Sequence, residues 1–394
     1  MKIVDVAEFY SERGGGVRTY IRQKLAAAAT LGVDMTIVAP GPFTTTEAST
    51  DGGRIRWVAS PREPFDPRYF RFTDAAAVHA VLDEEAPDVV EASSPWAGAR
   101  VVARWRGKAF RALVMHMDPV AVYPHTALDG VVSADTVDRA CGWFWHYLRQ
   151  LSRRFDQTIV AGDWLAARLA RFRLQQPVAI PFGIEKQLFS PALRCPDTRR
   201  AMLAACGIDD PDTPLLIAVS RHHPEKRLSV LIRAVARLRH QRPIGLYIVG
   251  DGPARAAIGR MAARVPGVSL AGVVSDRRRL ATLLASADAF VHGGAAETFG
   301  LAVGEALCAG LPLVTPDRGG AADIARPDFA ETYRAGDSRA CAAAIVRLLA
   351  RPRAPLVDAA CLAAGRLWTP HQHFSALFEH YRRQVRESEA LAAA

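Results

Sequence analysis

The sequence predicts an α/β protein of two domains, each with a parallel β-sheet flanked by helices. Short β-branched and aliphatic runs alternate with longer Ala-, Leu- and Arg-rich stretches along almost the whole chain, which is typical of βαβ units. The chain has 394 residues, more than the roughly 250–300 at which one core usually stops growing. The candidate strands are also too many for one open sheet of ordinary size. We therefore expect two Rossmann-like domains that face each other across a cleft.

The candidate elements follow one another in a regular order. In the first half, β-branched runs predict strands over residues 2–6, 35–40, 55–58, 88–92, 112–116, 157–161 and 178–181. In the second half, they predict strands over residues 215–220, 245–249, 268–271, 289–292 and 313–315. Helical periodicity predicts helices over residues 18–31, 229–239, 253–263, 276–284 and 301–309.

The regular pattern breaks once near the middle of the chain. Residues 189–200 contain Ser-Pro-Ala-Leu-Arg-Cys-Pro-Asp-Thr, which interrupts the periodicity. A second series of helices and strands follows this break, and a last helix is predicted after Pro370. We predict one domain over residues 1–190, a second over residues 191–370, and a C-terminal helix over residues 371–394.

The net charge and the lack of long apolar runs limit the kinds of molecule that the protein is expected to bind. The net charge is +10 at pH 7, which suits nucleic acid, an anionic membrane or a phosphate-bearing substrate. The arginines show no block of five or more, so we interpret them mainly as a solvated surface, with peripheral contact with an anionic membrane as the alternative and no nucleic-acid partner. No apolar run approaches the roughly 20 residues of a membrane span. The chain starts in a strand-like segment with no signal-peptide pattern, so we expect a cytoplasmic protein, free or peripheral on the inner face of the membrane.

The six cysteines are scattered and form no CxxC pair or Cys/His cluster. This spacing argues against a zinc site and a disulfide framework. The triplet Asp210-Pro211-Asp212 has the form of a metal-binding DxD motif, but a Pro-broken turn explains it better. We expect no metal.

Two glutamates eight residues apart, Glu297 and Glu305, flank a predicted helix start near Gly300. Eight helical residues span about 12 Å, so the carboxylates cannot clamp one atom, but they can bind hydroxyl groups at the two ends of an extended ligand. A nucleotide sugar offers hexose and ribose hydroxyls at its two ends, and free N–H groups at a helix start suit its diphosphate. Two solvent-exposed glutamates without a function would show the same spacing, so the neighbouring motifs must decide between this interpretation and a ligand-binding role.

A basic loop supplies part of that context. Arg221 and Lys226 follow a predicted strand, at the carboxyl end where open α/β sheets bind ligands. Two cations there can neutralise a diphosphate, although an ordinary basic loop is the alternative.

Two glycine-rich turns also follow predicted strands. Gly15 and Gly16 lie in Arg-Gly-Gly-Gly-Val between the first strand and the first helix, where glycines permit close approach of the backbone to a phosphate. Gly252 lies in Gly-Asp-Gly-Pro before another helix, mostly as turn chemistry, with a ligand contact as the alternative.

Together these segments resemble the large GT-B group of glycosyltransferases, family 4, that includes bacterial α-mannosyl- and α-glucosyltransferases. Residues 297–305 match its E-x7-E motif, and the Gly-rich loop, the basic loop, residues 250–253 and the segment 181–191 occur in the family's order. The resemblance covers residues 1 to about 325, and its motifs are specific only jointly. It departs from the family where Ser220 and Arg227 replace glycines and where Asp323 replaces a glutamate.

The resemblance implies a GT-B fold with an N-terminal acceptor domain, a C-terminal nucleotide-sugar domain and a last helix that returns to the first domain. It also implies retention of anomeric configuration, with no cofactor and no obligatory metal. Arg221 and Lys226 would hold the diphosphate, Glu297 the donor sugar and Glu305 the ribose.

The resemblance assigns further groups to the site. The backbone at Phe299, Gly300 and Leu301 would lie along the sugar and the phosphate. His116, in Val-Met-His-Met-Asp, matches a histidine at a strand end that faces the donor sugar and the acceptor; a hydrogen-bonded core histidine is the alternative.

The expected function is transfer of a hexose from a GDP- or UDP-sugar to a hydroxyl of a glycan or lipid-linked acceptor. One alternative is a GT-B sugar phosphorylase or sugar-nucleotide epimerase, and another is a non-catalytic subunit that binds a glycan or a nucleotide sugar. The aromatic and basic segment 143–154 is predicted to form a helix that is either core or membrane-facing, and residues 65–72 are a candidate acceptor loop.

Overall fold

The structure is a computed structural model that describes residues 1–11, 16–64, 66, 69–128, 131–175 and 177–393. The strands among these residues are β1 Lys2–Val6, β2 Asp34–Gly41, β3 Thr45–Ala48, β4 Arg54–Ala59, β5 Val89–Ala92, β6 Phe110–Met115, β7 Gln157–Val160, β8 Pro177–Ala179, β9 Leu215–Val219, β10 Gly245–Val249, β11 Val268–Gly272, β12 Ala289–Val291, β13 Leu313–Pro316 and β14 Ala330–Tyr333.

The helices among the same residues cover both halves of the chain. They are α1 Gly16–Thr30, α2 Ala75–Glu85, α3 Ala97–Arg104, α4 Pro119–Val122, α5 Pro124–Ala127, α6 Ala134–Ala140, α7 Gly142–Ser152, α8 Asp163–Arg171, α9 Pro196–Ala205, α10 Leu228–Leu238, α11 Arg255–Ala262, α12 Arg277–Ser286, α13 Leu301–Cys308, α14 Gly320–Ile324, α15 Ser338–Leu349, α16 Arg353–Arg366 and α17 Pro370–Ala393.

The chain forms two compact units. The first comprises Met1–His116, Ala140–Gly183 and Pro370–Ala394, and the second comprises Met117–Arg139 and Ile184–Thr369. The domain bounds that we predict from the sequence, 1–190, 191–370 and 371–394, stay predictions, as does a cleft between the domains.

The first unit contains a sheet in the order β3-β4-β2-β1-β5-β6-β7-β8. All neighbouring strands are parallel except β3 and β4, which pair antiparallel. The last helix, α17, packs on α1 and β6. Four of its apolar side chains, Phe374, Leu377, Phe378 and Tyr381, are at most 1% exposed, so this helix buries one face in the first unit.

The second unit contains a wholly parallel sheet in the order β11-β10-β9-β12-β13-β14. Its strands are buried aliphatic runs, and α10 and α15 pack together beside them. Because parallel strands end at the same edge of a sheet, the loops after β10, β9, β12 and β13 come out side by side.

Two further sequence interpretations can be compared with the structure, and a third falls partly outside the described residues. Helix α7 buries Phe144, Trp145 and Leu148 and leaves Trp143 73% exposed, so most of its aromatic side is core. Asp210 accepts hydrogen bonds from Asp212 N and Thr213 Oγ1, which is the geometry of a turn. The acceptor-loop candidate 65–72 lies partly outside the described residues.

In the parts of the chain that the structure describes, no helix has both the length and the apolar character that crossing a bilayer requires.

Candidate functional site

The predicted basic loop and the predicted glutamate loop meet at the carboxyl edge of the second unit's sheet. Lys226 follows β9, and Glu297 follows the adjacent strand β12. Lys226 Nζ donates a 2.6 Å hydrogen bond to Glu297 Oε2. The two side chains are 19% and 21% exposed, so they form a largely buried ion pair beside the surface. The structure places Arg221 on the same loop as Lys226, exposed to solvent.

Glycines bring these two loops into contact. A Cβ at Gly293 would lie 2.6 Å from Lys226 O and 2.9 Å from Arg227 O, closer than real Cβ atoms come. Arg227 itself has φ +46°, a left-handed conformation that suits glycine better than arginine. The conformation fits the glycine that the resemblance implies at this position, and it makes Arg227 a strained substitute.

The carboxylate of Glu297 is held in its ionised form. Burial raises its pKa, but the charge of Lys226, the neighbouring His292 and the Lys226 hydrogen bond outweigh burial, so the pKa lies below its ordinary value. Oε2 is occupied by Lys226, whereas Oε1 has no hydrogen-bond partner within the described parts of the chain. Glu297 can therefore accept hydrogen bonds from a ligand's hydroxyl groups.

His292 forms the inner wall behind this ion pair, and the sequence reasoning did not single it out. Its Nε2 lies 3.6 Å from Glu297 Oε2, and Tyr333 donates a 2.7 Å hydrogen bond to its carbonyl oxygen. Burial lowers the pKa of His292 to about 4, so the ring is neutral at pH 7. The signal was its position as the last residue of the candidate strand 289–292, at the sheet edge where ligands bind.

Helix α13 begins immediately after the glutamate loop. Gly300 precedes it with φ +93°, and no side chain caps its first turn. The first amides of a helix have no partner within the helix, so the backbone at Leu301 and the helix dipole face the sheet edge with partial positive charge. The loop is fixed from behind, because Gly320 N donates a 2.6 Å hydrogen bond to Glu297 O and a Cβ at Gly320 would lie 2.5 Å from Phe299 N.

Glu305 lies within α13 and has a different partner. Arg277 Nη2 donates a 2.8 Å hydrogen bond to Glu305 Oε1 and lies 3.4 Å from Glu185 Oε2. Burial raises the pKa of Glu305, and the charge of Arg277 offsets this only in part. The two glutamates are therefore separate acceptors, each paired with its own cation. Arg277 was missed, because it is one of three consecutive arginines whose sequence does not tell which one points inward.

Gly252 packs against the basic loop rather than lying open. A Cβ there would lie 2.6 Å from His222 O, and His222 N donates a 2.8 Å hydrogen bond to Asp251 O. The structure therefore gives Gly252 a packing role, and its contact with a donor stays a prediction.

The other predicted site residues lie in the first unit. Gly16 is the exposed first residue of α1, and Gly15 lies outside the described residues. His116 directly follows β6, with its ring centroid 5.1 Å from that of Tyr20 and 5.8 Å from that of Phe182. Burial lowers the pKa of His116 to about 4, so its imidazole is neutral at pH 7.

A histidine of α17 supports this group of rings. His373 Nδ1 lies 2.8 Å from Pro181 O, and a carbonyl only accepts, so Nδ1 carries the proton. Burial lowers the pKa of His373 to about 3, so Nε2 is unprotonated and accepts the hydrogen bond from Tyr20 Oη at 3.0 Å. The contact fixes the Tyr20 ring that touches His116.

A buried charge cluster lies under α1. Lys24 donates a 2.8 Å hydrogen bond to Asp5 Oδ2 and also contacts Glu91. Ser93 donates to Asp5, and Tyr381 of α17 donates a 2.6 Å hydrogen bond to Glu91 Oε1. The cluster joins β1, α1, β5 and α17 by ionic and polar contacts.

Among the described residues, no group of three or more His, Cys, Asp or Glu side chains has an arrangement that could hold a metal ion.

Two family models match the chain. The model described as Glycosyltransferase Family 4 matches residues 14–188, and the model described as Glycosyl transferases group 1 matches residues 213–351. Together they cover most of both units.

Curated relatives match over nearly the whole length. The GDP-mannose-dependent alpha-(1-6)-phosphatidylinositol dimannoside mannosyltransferase of Mycobacterium tuberculosis is 28% identical over 344 residues, which is 87% of this chain and 84% of the relative. The GDP-mannose-dependent alpha-mannosyltransferase of Mycolicibacterium smegmatis is 28% identical over 374 residues, covering 93% and 94%.

Solved structures show the same fold. Sucrose-phosphate synthase from Thermosynechococcus elongatus superposes with a TM-score of 0.75 at 21% identity over 100% of both chains. Anabaena HepE in complex with UDP and glucose superposes with a TM-score of 0.70 at 16% identity over 96% of this chain and 99% of that chain. With two parallel-sheet units and these neighbours, the fold is GT-B, and the chain belongs to family 4 of the glycosyltransferases, as a hexosyltransferase that uses a nucleotide sugar.

Proposed function

We propose that this enzyme transfers mannose from GDP-mannose to a hydroxyl of a lipid-linked acceptor, with retention of anomeric configuration. The observation that carries the proposal is the Lys226–Glu297 ion pair beside the start of α13. The choice of donor and acceptor is supported by relatives that are named as GDP-mannose-dependent enzymes, one of which acts on a phosphatidylinositol dimannoside.

The ion pair suits the junction between a sugar and a diphosphate. The ammonium of Lys226 has three donors, of which one is engaged by Glu297, so two remain for phosphate oxygens. Glu297 keeps Oε1 for the hydroxyls of the hexose. A sugar diphosphate placed here would have the Lys226 cation at its anionic phosphates. The Glu297 carboxylate would lie at its sugar hydroxyls, which donate hydrogen bonds.

The ribose end would extend towards Glu305. Its Oε1 accepts from Arg277, and a ribose hydroxyl would donate to the remaining oxygen. Because Arg277 compensates the charge of Glu305, this carboxylate can stay largely buried at the ligand's far end.

The chemical step needs stabilisation of the leaving group. The acceptor hydroxyl attacks the anomeric carbon from the face that the diphosphate leaves, the bond from carbon to phosphate oxygen breaks, and the departing phosphate takes the acceptor's proton. Arg221, Lys226 and the amides at Leu301 offset the charge that develops on the phosphate. We infer that these groups do the work of a divalent cation, so EDTA should leave the rate unchanged.

The nucleotide is tested by thermal unfolding with GDP, UDP and ADP at equal concentrations. A ligand at 100 times its Kd stabilises the native state by about 2.7 kcal/mol, and we expect GDP to raise the Tm most. A larger shift with UDP or ADP would contradict the proposed donor. The stereochemistry is tested by NMR of the product, in which the α-mannosyl linkage should persist; a β-linkage would contradict retention.

A further inference from the structure

A basic cavity of about 630 Å³ lies in the first unit, and none of the residues proposed to bind the donor lines it. It is lined by one face of α3, the segment from α3 to the start of β6, one face of α7 and the turn after α7. Five guanidinium groups contribute to its walls: Arg100, Arg104, Arg106, Arg111 and Arg154. The volume falls within the roughly 300–1,000 Å³ that ligand pockets usually have.

Helical spacing directs these side chains to one place. Arg100 and Arg104 are four residues apart on α3, so they share one face of that helix. Tyr147 and Gln150 lie three residues apart on the facing side of α7, and Arg154 follows four residues after Gln150. Two helix faces therefore form a large part of the cavity wall.

The inner end of the cavity is rigid. Arg111 Nη2 donates hydrogen bonds of 2.8 Å to Trp105 O and 3.0 Å to Gly107 O, and its guanidinium lies 5.8 Å from the Trp105 ring centroid. Trp105 is 6% exposed, and its Nε1 donates a 2.7 Å hydrogen bond to Asp83. These contacts hold one guanidinium in place before any ligand binds.

Carboxylates compensate the charge of this cavity only in part: the charge of Arg100 acts on the buried Glu8, but no ion pair forms at close range among the described residues. Many arginines of the chain pair with carboxylates, such as Arg22 with Asp51 and Arg199 with Asp288. None of the five cavity arginines has a carboxylate within 4.0 Å of its guanidinium in the described part of the chain. The C-terminal ends of α3 and α7 supply only about half a negative charge each, far less than five positive charges.

The cavity lies at the opposite end of β6 from His116. Arg111 is near the amino end of this strand, and His116 follows its carboxyl end. Five residues of strand span about 16 Å. A ligand in the cavity would therefore occupy a site separate from the sheet edge at His116.

We propose that this cavity is a binding site for a phosphate-bearing anion. Guanidinium groups bind phosphate oxygens bidentately, and the amide of Gln150 adds a neutral hydrogen-bonding group at the wall. The hydroxyl of Tyr147 donates to Pro95 O. The headgroup of an anionic phospholipid and a soluble phosphate ester share this chemistry, and the experiment separates them.

The test compares two triple variants of the full chain. The cavity variant carries Arg100→Gln, Arg104→Gln and Arg154→Gln. The control carries Arg239→Gln, Arg260→Gln and Arg264→Gln, which removes the same charge from exposed positions that form no ion pair with a described residue. Both variants keep the residues proposed to bind the donor, so both should still bind any pyrophosphate that occupies the donor site. Circular dichroism checks that both variants fold. The single variant Arg104→Gln repeats the test should the triple variant unfold.

The probes are inorganic pyrophosphate, followed by titration calorimetry, and phosphatidylcholine vesicles with and without phosphatidic acid, followed by cosedimentation. We expect the wild type and the control to bind at least one probe, and the cavity variant to bind it at least tenfold more weakly. Binding of pyrophosphate alone identifies a soluble phosphate, and binding of acidic vesicles alone identifies a lipid headgroup. Equal losses in both triple variants, or no binding of either probe by the wild type, would overturn the proposal. Mannose transfer is measured separately, so this result does not depend on the proposed function.

Discussion

At the scale of single residues, the space left by glycine decides whether Lys226 and Glu297 can meet. Gly293 lets the basic loop and the glutamate loop touch through their backbones, and the ion pair depends on that approach. The charges of Lys226 and Glu297 define the site's chemistry, whereas Gly293 sets the distance between the two loops.

We predict that Gly293→Ala separates the two loops. The added methyl group would lie 2.6 Å from a backbone oxygen, and relieving such overpacking typically costs about 1–3 kcal/mol. Titration calorimetry should show weaker binding of GDP-mannose, together with a lower Tm.

The matched control is Gly259→Ala in α11. Its added Cβ would make only an ordinary contact, 3.7 Å from Leu270 Cδ1, and alanine in a helix is about 1 kcal/mol more favourable than glycine. Wild-type affinity in Gly293→Ala would show that the close approach is not needed.

Arg277→Ala should affect the nucleotide end of the donor. Arg277 lowers the pKa of Glu305 against the effect of burial, so its removal raises that pKa further. Glu305 would then become protonated at a higher pH than in the wild type. We expect the KM for the donor to rise as the pH falls, starting at a higher pH in the variant, with a small change in kcat. Arg278→Ala, the exposed next residue, is the control; identical pH profiles in all three proteins would contradict this role.

The sequence located residues that directly follow strands, but it did not reveal partners distant in the chain. Lys226 and Glu297 could be placed at one sheet edge because parallel strands share that edge. Arg277 was not found, because its contact with Glu305 depends on how α12 and α13 are rotated. Short-range periodicity does not specify that rotation.

At the scale of elements, α17 is attached to the first unit by polar contacts as well as apolar packing. Tyr381 donates to Glu91 in the buried cluster, and His373 bridges Pro181 and Tyr20. This helix therefore takes part in fixing α1 and the rings beside His116.

We predict that Tyr381→Phe destabilises the first unit although it removes a single oxygen. Glu91 Oε1 would lose its donor in a fully buried place, which costs about 1–3 kcal/mol. Urea unfolding should show the loss. Tyr247→Phe, on strand β10 and partly exposed, should change the unfolding free energy by less than about 0.5 kcal/mol. Equal stability of the wild type and Tyr381→Phe would contradict the buried role.

Apolar runs in the sequence predict the buried strands but not the strands that lack such a run. Each predicted strand corresponds to an observed one, because buried parallel strands are continuous aliphatic runs. Strand β3 was missed, since its residues Thr-Thr-Glu-Ala are all exposed and it forms only by pairing with β4. Strand β14, Ala-Glu-Thr-Tyr, was missed for lack of an apolar run.

At the scale of the whole molecule, buried neutral histidines link stability to pH. Burial lowers the pKa of His292 to about 4 and that of His373 to about 3, from an ordinary value near 6.5. Above pH 6.5 both residues are neutral in the folded and unfolded states. As the pH falls below 6.5, the unfolded chain takes up protons first, so stability decreases until the folded pKa values are reached.

We predict a decrease in unfolding free energy of up to about 1.4 kcal/mol per pH unit for each of these histidines between pH 6.5 and 4. His373→Gln removes one titrating group from the first unit, and glutamine can still donate to Pro181 O. Urea unfolding at pH 7, 6 and 5 should show a shallower pH dependence for the transition of that unit. Parallel pH dependences in the wild type and the variant would contradict the assignment.

The central claim is that one ion pair at a sheet edge binds a sugar diphosphate, with the cation at the phosphate and the carboxylate at the sugar. The most direct test is titration calorimetry of GDP and GDP-mannose with the wild type, Lys226→Ala, Glu297→Gln and the exposed control Lys108→Ala. We predict that Lys226→Ala weakens both ligands at least tenfold, that Glu297→Gln weakens GDP-mannose far more than GDP, and that the control binds like the wild type. Equal weakening of both ligands by Glu297→Gln, or unchanged binding by Lys226→Ala, would contradict the account.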